Sequence, residues 1–465
     1  MMNRRAIDFL SLASSEVVRR VLGFLAVAYL ARVLSVAEFG IVSLGFTILS
    51  YTIIISTAGL TLYGIRETAR GLDKKIAGAL ISLRLVIAGL VFVITSVISI
   101  LFIRDPVTAK LVIAFNCSLF AYAFLLEWYF QGKEAMQMVS IGKTVTAAVY
   151  LVLVLVFVKS GQDILWVAIA AVGGDFAMML FYAGRYRKER GSVDLHTDRT
   201  AWGLMLRRSL PLGLGTMLGQ ISMNLAPLIL ALLMTNVEVG LYSAASKLIF
   251  FLLMVDRVLG VMLLPAAARL QAASPDQVAH RLGEALKWIV LTALPLCLGG
   301  MIVAEDIIRV VYGEPFLPAA GLFSILIWFL CFTMIHTIYT SGLIAVAPGK
   351  VYGRVMALGA VVYATTIVVF TRFYGLYGTV AAVVISESVT LLVAWKALQP
   401  YLALRPVVRL ERIVVAAAAM VAVVVAVHPY GLLLTVGAGA IVYGASLWML
   451  RVFTGQELIA LIGRK

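Results

Sequence analysis

Residues 76–102 read IAGALISLRLVIAGLVFVITSVISILF, and this stretch decides the fold because Arg84 is the one charged residue among its 27. About 20 apolar residues in a helix cross a hydrocarbon core about 30 Å thick. Thirteen more apolar stretches fill most of the 465-residue chain, with short gaps between them. The sequence therefore predicts an all-α membrane protein with about fourteen transmembrane helices. The predicted spans, numbered 1 to 14, are 15–35, 41–63, 76–102, 108–129, 141–158, 164–184, 209–234, 240–264, 287–311, 317–345, 352–373, 376–396, 411–428 and 431–451.

The composition and the placement of charge agree with a membrane protein. The chain is 62% hydrophobic and 13% charged, and its mean hydropathy is +1.03. Its net charge is +15, but Lys and Arg gather in alternate loops, as they do on the cytoplasmic side of membrane proteins. Residues 66–75, 185–208 and 396–412 form such basic clusters, whereas the opposite loops hold few cations. We expect a multi-pass protein of the inner or plasma membrane with both termini cytoplasmic, and no nucleic-acid partner.

Cysteine and histidine show no spacing that indicates a catalytic or metal site. Cys117, Cys297 and Cys331 lie in apolar spans, and the four histidines are scattered along the chain. The outer loops are a few residues long, which leaves little room for the acid, base or nucleophile of an enzyme. Neither a metal nor a cofactor is predicted. A membrane glycosyltransferase, polymerase or ligase acting on lipid-linked glycans is the less favoured alternative to a transporter.

The chain carries an internal repeat with an offset of 200 residues. SVAEFGIVSLGFTI at 35–48 matches TNVEVGLYSAASKL at 235–248, so that Glu38 aligns with Glu238 and Gly40 with Gly240. Spans 6 and 12 also correspond, and there Asp175 lies opposite Glu387. Six spans per repeat is an even number, so both repeats start on the same side of the membrane. We therefore expect two parallel six-helix lobes around a central cavity.

The repeat sets the predicted domain organisation. The N-lobe covers residues 1–200 with spans 1–6, and the C-lobe covers 201–400 with spans 7–12. Spans 13 and 14, in residues 401–465, fall outside the repeat. Two similar lobes around one cavity favour alternating access. Span 7 contains a candidate hinge, for which close helix packing is the competing interpretation. The hinge candidates are Pro211, Gly213, Gly215 and Gly219.

Five segments resemble a known family. They are AGLTLYGIRETA at 58–69, EWYFQGKEAM at 127–136, NLAPLILALLMTNVEVGLYSAASKL at 224–248, AEDIIRVVYGEPFLPAAGLFSILIW at 304–328 and FYGLYGTVAAVVISE at 373–387. In this order they resemble the polysaccharide transporter (Wzx-like) flippases of the multidrug/oligosaccharidyl-lipid/polysaccharide (MOP) exporter superfamily. The resemblance implies flipping of a polyprenyl-diphosphate-linked oligosaccharide from the cytoplasmic to the outer leaflet. It implies as partners the lipid-linked substrate, membrane lipids and other polysaccharide assembly proteins.

A doubly charged diphosphate headgroup needs a hydrated, cationic cavity, and charged residues at membrane depth usually face such a cavity or each other. Arg84 lies about 12 Å along span 3, so it either faces the cavity or snorkels to the cytoplasmic headgroups. Lys247 on span 8 either faces the cavity or snorkels to the outer side, since it lies seven residues from Gly240. Arg19 and Arg20 either capture substrate at the cytoplasmic mouth or only set orientation. The candidate substrate-binding cations are Arg19, Arg20, Arg84, Lys247 and Arg257.

Three acids at membrane depth have open roles. Asp256 precedes Arg257 and is expected to act as its pairing partner. Asp175 and Glu387 occupy equivalent repeat positions, where hydrogen bonding between neighbouring helices is favoured over proton coupling.

Two other transporter functions compete with the flippase. A cation-coupled multidrug exporter of the same superfamily would favour acids in spans 1 and 7, but span 7 has none and span 1 has only Glu16 at its mouth. A peptidoglycan lipid-precursor flippase is a closer alternative, and sequence does not separate it from an oligosaccharide flippase.

Overall fold

The computed structural model describes residues 4–71, 74–192, 195, 198–254, 275–402 and 409–452. The described residues form helices and connecting turns without a strand. The helices are α1 (Arg4–Val33), α2 (Val36–Thr57), α3 (Leu60–Ala69), α4 (Lys74–Phe102), α5 (Pro106–Asn116), α6 (Ser118–Ala123), α7 (Glu127–Gly132), α8 (Met136–Phe157), α9 (Ile164–Arg190), α10 (Arg199–Leu233), α11 (Asn236–Leu252), α12 (Pro275–Ile302), α13 (Ala304–Tyr312), α14 (Ala319–Val346), α15 (Gly349–Leu398), α16 (Leu410–Val427) and α17 (Leu432–Met449).

The predicted all-α membrane fold is confirmed. Among the described residues, ten helical segments are long and apolar enough to cross a membrane. All fourteen predicted spans coincide with helix, and span 8 is described as far as residue 254. The predicted count therefore agrees loosely with the helices that the structure describes.

Predicted spans 2, 4, 11 and 12 differ from simple straight helices. Span 2 ends early, because Ala58 and Gly59 adopt left-handed backbone angles (φ 45° and 75°) and separate α2 from α3. Span 4 is divided into α5, α6 and α7. Spans 11 and 12 are two helices, numbered together here as α15, that meet at a kink with non-helical angles at Gly375 (φ 61°, ψ −142°). Glycine tolerates this positive φ, so the chain turns there.

The two copies of the repeat begin with the same capping interaction. At the start of α2, the Ser35 backbone N–H donates to Glu38 Oε2 over 2.8 Å. At the start of α11, the Thr235 backbone N–H donates to Glu238 Oε2 over 3.0 Å. Such contacts satisfy N–H groups that have no partner within the helix. The aligned acids therefore have a local structural role.

The chain forms two compact units, Met1–Ser243 and Ala244–Lys465. In the first unit, α10 packs on α2 and α3, and the Trp202 indole donates to the Ala79 carbonyl of α4 over 3.1 Å. This division into compact units does not test the predicted lobes 1–200 and 201–400, which remain a prediction.

Each unit has its own apolar core. The first contains fully buried aromatic side chains from α7 and α9, among them Trp128, Tyr129 and Tyr182. In the second, α14 packs along α12 and α15. There α16 and α17 pack on each other and on α12, and the Tyr443 hydroxyl donates to the Leu291 carbonyl over 2.7 Å.

Candidate transport site

Repeat-related glycines touch each other at the starts of α2 and α11, within the first unit. A Cβ atom added to Gly40 would overlap the Asn236 carbonyl oxygen and lie 2.9 Å from the Gly240 nitrogen. A Cβ added to Gly240 would overlap the Val36 carbonyl in turn. The contact is reciprocal, so the two helix starts approach closely only because both residues lack a side chain.

A second reciprocal glycine contact lies at the break between α2 and α3. A Cβ on Gly213 of α10 would lie 2.8 Å from the backbone carbon of Ala58 and 2.8 Å from the nitrogen of Gly59. The position of Gly213 supports the packing interpretation of span 7. Pro211 lies exposed inside α10. Gly215 and Gly219 also lie in α10, but their surroundings are outside the described part of the structure, and the hinge stays a prediction.

Arg84 is buried in the first unit. Its side chain is 2% exposed, and its guanidinium donates to the Leu125 carbonyl over 3.1 Å. Glu127 attracts it electrostatically. Glu127 itself forms an ion pair with Lys143 over 2.8 Å. A buried guanidinium bonded to a backbone carbonyl favours a structural role for Arg84 over snorkelling to the headgroups. Contact of Arg84 with the substrate stays a prediction.

The other candidate cations are described only in part. Arg19 and Arg20 are half-buried on α1 of the first unit. Lys247 is half-buried on α11, in the second unit. Asp256 and Arg257 lie outside the described residues. The convergence of these cations on one cavity remains a prediction.

The two repeat-related acids occupy equivalent settings in their own units. Asp175 on α9 is 6% exposed and faces the hydroxyl groups of Ser118 and Tyr122, both on α6. Glu387 on α15 lies with Oε1 2.9 Å from His336 Nδ1 on α14. In terms of the predicted spans, Asp175 of span 6 faces span 4, and Glu387 of span 12 faces span 10, the corresponding span of the second repeat. The geometry supports a bond between helices for Glu387 and places Asp175 against the hydroxyl groups of a neighbouring helix, and it does not test proton coupling.

We expect Glu387→Ala to lower the free energy of unfolding by about 1–3 kcal/mol, because His336 then loses its partner at membrane depth. Glu387→Gln keeps a hydrogen-bonding group and should cost less. Asp175→Ala and Asp175→Asn should give the same ranking. Thermal unfolding in detergent measures the loss of stability, and substrate flipping per folded molecule measures any separate effect on transport. Loss of flipping in Glu387→Gln with unchanged stability would establish a coupling role instead.

Sequence reasoning missed a polar cluster that joins α7 to the end of α9. Lys133 Nζ and Glu189 Oε2 lie 2.6 Å apart, and the Tyr129 hydroxyl donates to the same carboxylate over 3.1 Å. Arg190 Nε donates to the Tyr129 hydroxyl over 3.3 Å. The bond to Glu189 raises the pKa of Lys133. The motif EWYFQGKEAM was the only sequence signal, and the cluster gives it a structural role in tying two helix ends together.

Comparison with known proteins gives a family match and a shared fold. A family model described as a polysaccharide biosynthesis protein matches residues 7–271, more than half of the chain. No curated protein sequence matches the chain. The lipid II flippase MurJ, solved in an inward closed conformation, has a TM-score of 0.77 at 13% identity, with 95% of this chain and 98% of that chain covered.

Transporters of the MOP superfamily share the fold less closely. A multidrug resistance MATE family transporter of that superfamily in an inward-facing conformation has a TM-score of 0.59 at 18% identity, covering 81% of this chain and 93% of that chain. An outward-facing MATE structure has a TM-score of 0.52 at 14% identity, covering 83% and 93%. These structures share the fold of this chain. By their own descriptions, the matched structures are a flippase and multidrug transporters.

Proposed function

The chain belongs to the polysaccharide biosynthesis protein family, and from this premise we propose that it flips a polyprenyl-diphosphate-linked oligosaccharide. The substrate is of the O-antigen or exopolysaccharide repeat-unit type and moves from the cytoplasmic to the outer leaflet by alternating access. The family match over residues 7–271 is the observation that carries this proposal. Partners in polysaccharide assembly belong to the same proposal.

The chemistry of the substrate supports the proposed roles of the cations. A diphosphate forms charge-assisted hydrogen bonds with Lys and Arg, which are stronger than bonds between neutral groups. Arg19 and Arg20 at the start of span 1 capture the headgroup, and Lys247 and Arg257 on span 8 hold it during translocation. Arg84 acts mainly by holding the Leu125 carbonyl in place.

The reciprocal glycine contact supports the alternating-access part of the proposal. Under the predicted division near residue 200, Gly40 and Gly240 belong to different lobes and lie at the outer ends of spans 2 and 8. A contact made by two backbones without intervening side chains is well suited to opening and closing, because little side-chain interdigitation has to be broken. We assign this contact the role of an outer gate.

A peptidoglycan lipid-precursor flippase is the second candidate function. The structural likeness to MurJ, described as a lipid II flippase, favours it, although at 13% identity the likeness concerns the fold alone. Both candidates move a lipid with a diphosphate and a glycan. The two candidate substrates differ in the sugar, and the described residues do not identify a sugar-binding site.

Depletion of the protein from its own cell separates these candidates. The proposal predicts that the repeat-unit oligosaccharide linked to polyprenyl diphosphate accumulates in the cytoplasmic leaflet. Peptidoglycan precursors should stay at normal levels. Mass spectrometry of extracted lipids measures both pools. Accumulation of the peptidoglycan precursor instead would reject the oligosaccharide proposal in favour of the second candidate.

Labelling of single cysteines tests the predicted topology, in a background without the three native cysteines. Cysteines placed near Asp163, Glu314 and Tyr430 should react with an impermeant thiol reagent added from outside. Cysteines at Ser192 and Lys465 should react only after the membrane is permeabilised. The opposite pattern would reverse the orientation inferred from the basic loops.

A further inference from the structure

A groove of about 420 Å³ opens on the first unit beside the end of α9. Its walls come from α4, α6 and α9, and residues 191, 192 and 195 close one end. The volume lies in the range of sites that hold small molecules, about 300–1,000 Å³. The groove therefore has room for an extended ligand.

The walls of the groove are apolar and open to the surroundings. Phe120, Phe124 and Phe176 line it, and Phe124 and Phe176 remain 37% and 36% exposed. These rings belong to or flank predicted transmembrane spans, so the solvent at this face is the hydrocarbon of the bilayer. An acyl chain is the ligand whose chemistry fits such walls.

One end of the groove is cationic. Arg187 lines the groove and is exposed, and within the described part of the chain no hydrogen bond, ion pair or ring contact engages its side chain. Two neighbouring cations on the same helix are engaged: Arg190 donates to the Tyr129 hydroxyl, and Arg185 lies 5.8 Å from the centre of the Phe181 ring. Arg187 is thus available to an anion at the mouth of an apolar groove.

We propose that this groove is a binding site for an anionic phospholipid of the bilayer. One acyl chain lies against Phe120, Phe124 and Phe176, and the phosphate pairs with Arg187. The predicted topology places this end of α9 on the cytoplasmic side, where basic pockets between transmembrane helices bind anionic headgroups. The site lies wholly within the first unit and does not depend on the identity of the transported substrate.

A resident phospholipid fits the groove better than the transport substrate does. The groove-lining residues include one cation, Arg187, whereas a diphosphate presents two charged groups. Most of the groove-lining side chains are also apolar, and the polar ones, Tyr186, Arg187 and Ser192, offer few hydrogen bonds to a glycan. The bound lipid would instead steady the packing of α4, α6 and α9.

Native mass spectrometry of the full-length protein in detergent tests the proposal, with phosphatidylglycerol and phosphatidylcholine of equal chain length as probes. The wild-type protein should retain phosphatidylglycerol about fivefold more strongly, the effect of one basic residue near the lipid phosphate. Arg187→Gln should remove this preference. Ala183→Trp, which fills the groove, should lose one bound lipid of either kind.

Matched variants on the same helix serve as controls. Arg185→Gln removes an equal charge outside the groove, and Leu180→Trp introduces the same tryptophan side chain at a position that is 64% exposed and does not line it. Both should bind lipid as the wild type does. The proposal is overturned if Arg187→Gln keeps the preference, or if either control loses lipid equally. Displacement of phosphatidylglycerol by equimolar polyprenyl diphosphate would also overturn it, since the groove would then serve the transport substrate. Because Arg187 is exposed, its variant remains informative even if Ala183→Trp fails to fold.

Discussion

Gly40→Ala should lower substrate flipping by about 5- to 150-fold, because the added methyl group overlaps the Asn236 carbonyl and keeps α2 and α11 apart. Overpacking of this kind costs about 1–3 kcal/mol. If this cost falls on only one state of the conformational equilibrium, it lowers the population of that state by about 5- to 150-fold. Flipping per folded molecule in proteoliposomes is the measurement, with folded protein quantified by size exclusion.

The reciprocity of the contact supplies its own controls. Gly240→Ala should match Gly40→Ala, and the double variant should be little worse than either, because one methyl group already breaks the contact. Gly89→Ala places a methyl group on α4 where no atom lies within 4 Å, and it should flip normally. Normal flipping by both Gly40→Ala and Gly240→Ala would show that the transport cycle does not need this contact.

Lys247→Ala should lower flipping by about 10- to 150-fold at normal protein abundance, because one charge-assisted hydrogen bond to the diphosphate contributes about 1.5–3 kcal/mol. Lys247→Arg keeps the charge and should retain most of the activity. Arg257→Ala and Arg257→Lys should rank in the same way. Flipping of the lipid-linked oligosaccharide in proteoliposomes, normalised to folded protein, measures each variant.

Lys110→Ala is the control for loss of a cation, since Lys110 is exposed near the start of α5 and is predicted to lie on the outer side. It should flip substrate normally. If Lys247→Ala loses abundance but flips normally per molecule, Lys247 supports structure and does not bind substrate.

The membrane fold follows from sequence because its main determinant is the length of apolar stretches. Residues 76–102 predicted one helix, and α4 covers Lys74–Phe102. The backbone breaks did not follow, because hydropathy is insensitive to φ and ψ. Glycine at 375 permits the positive φ that turns α15, but many other glycines in this chain lie within regular helix.

The candidate site was less predictable, because depth in a span does not specify a partner. Arg84 was predicted to lie at membrane depth, but its bond to the Leu125 carbonyl joins residues 41 apart and has no sequence signature. The repeat aligned Gly40 with Gly240 and Asp175 with Glu387. Alignment did not reveal that the glycines touch, or that Glu387 pairs with His336.

Direct reconstitution of flipping tests the central claim. Purified protein is placed in liposomes with a polyprenyl-diphosphate-linked oligosaccharide whose glycan is modified by an impermeant enzyme outside. The account predicts that the glycan pool protected inside wild-type proteoliposomes becomes accessible, that it does so about 10- to 150-fold more slowly with Lys247→Ala, and that it stays protected in empty liposomes. The proposed function would be contradicted if the protected pool persists although the wild-type protein in the liposomes is folded and is inserted in both orientations.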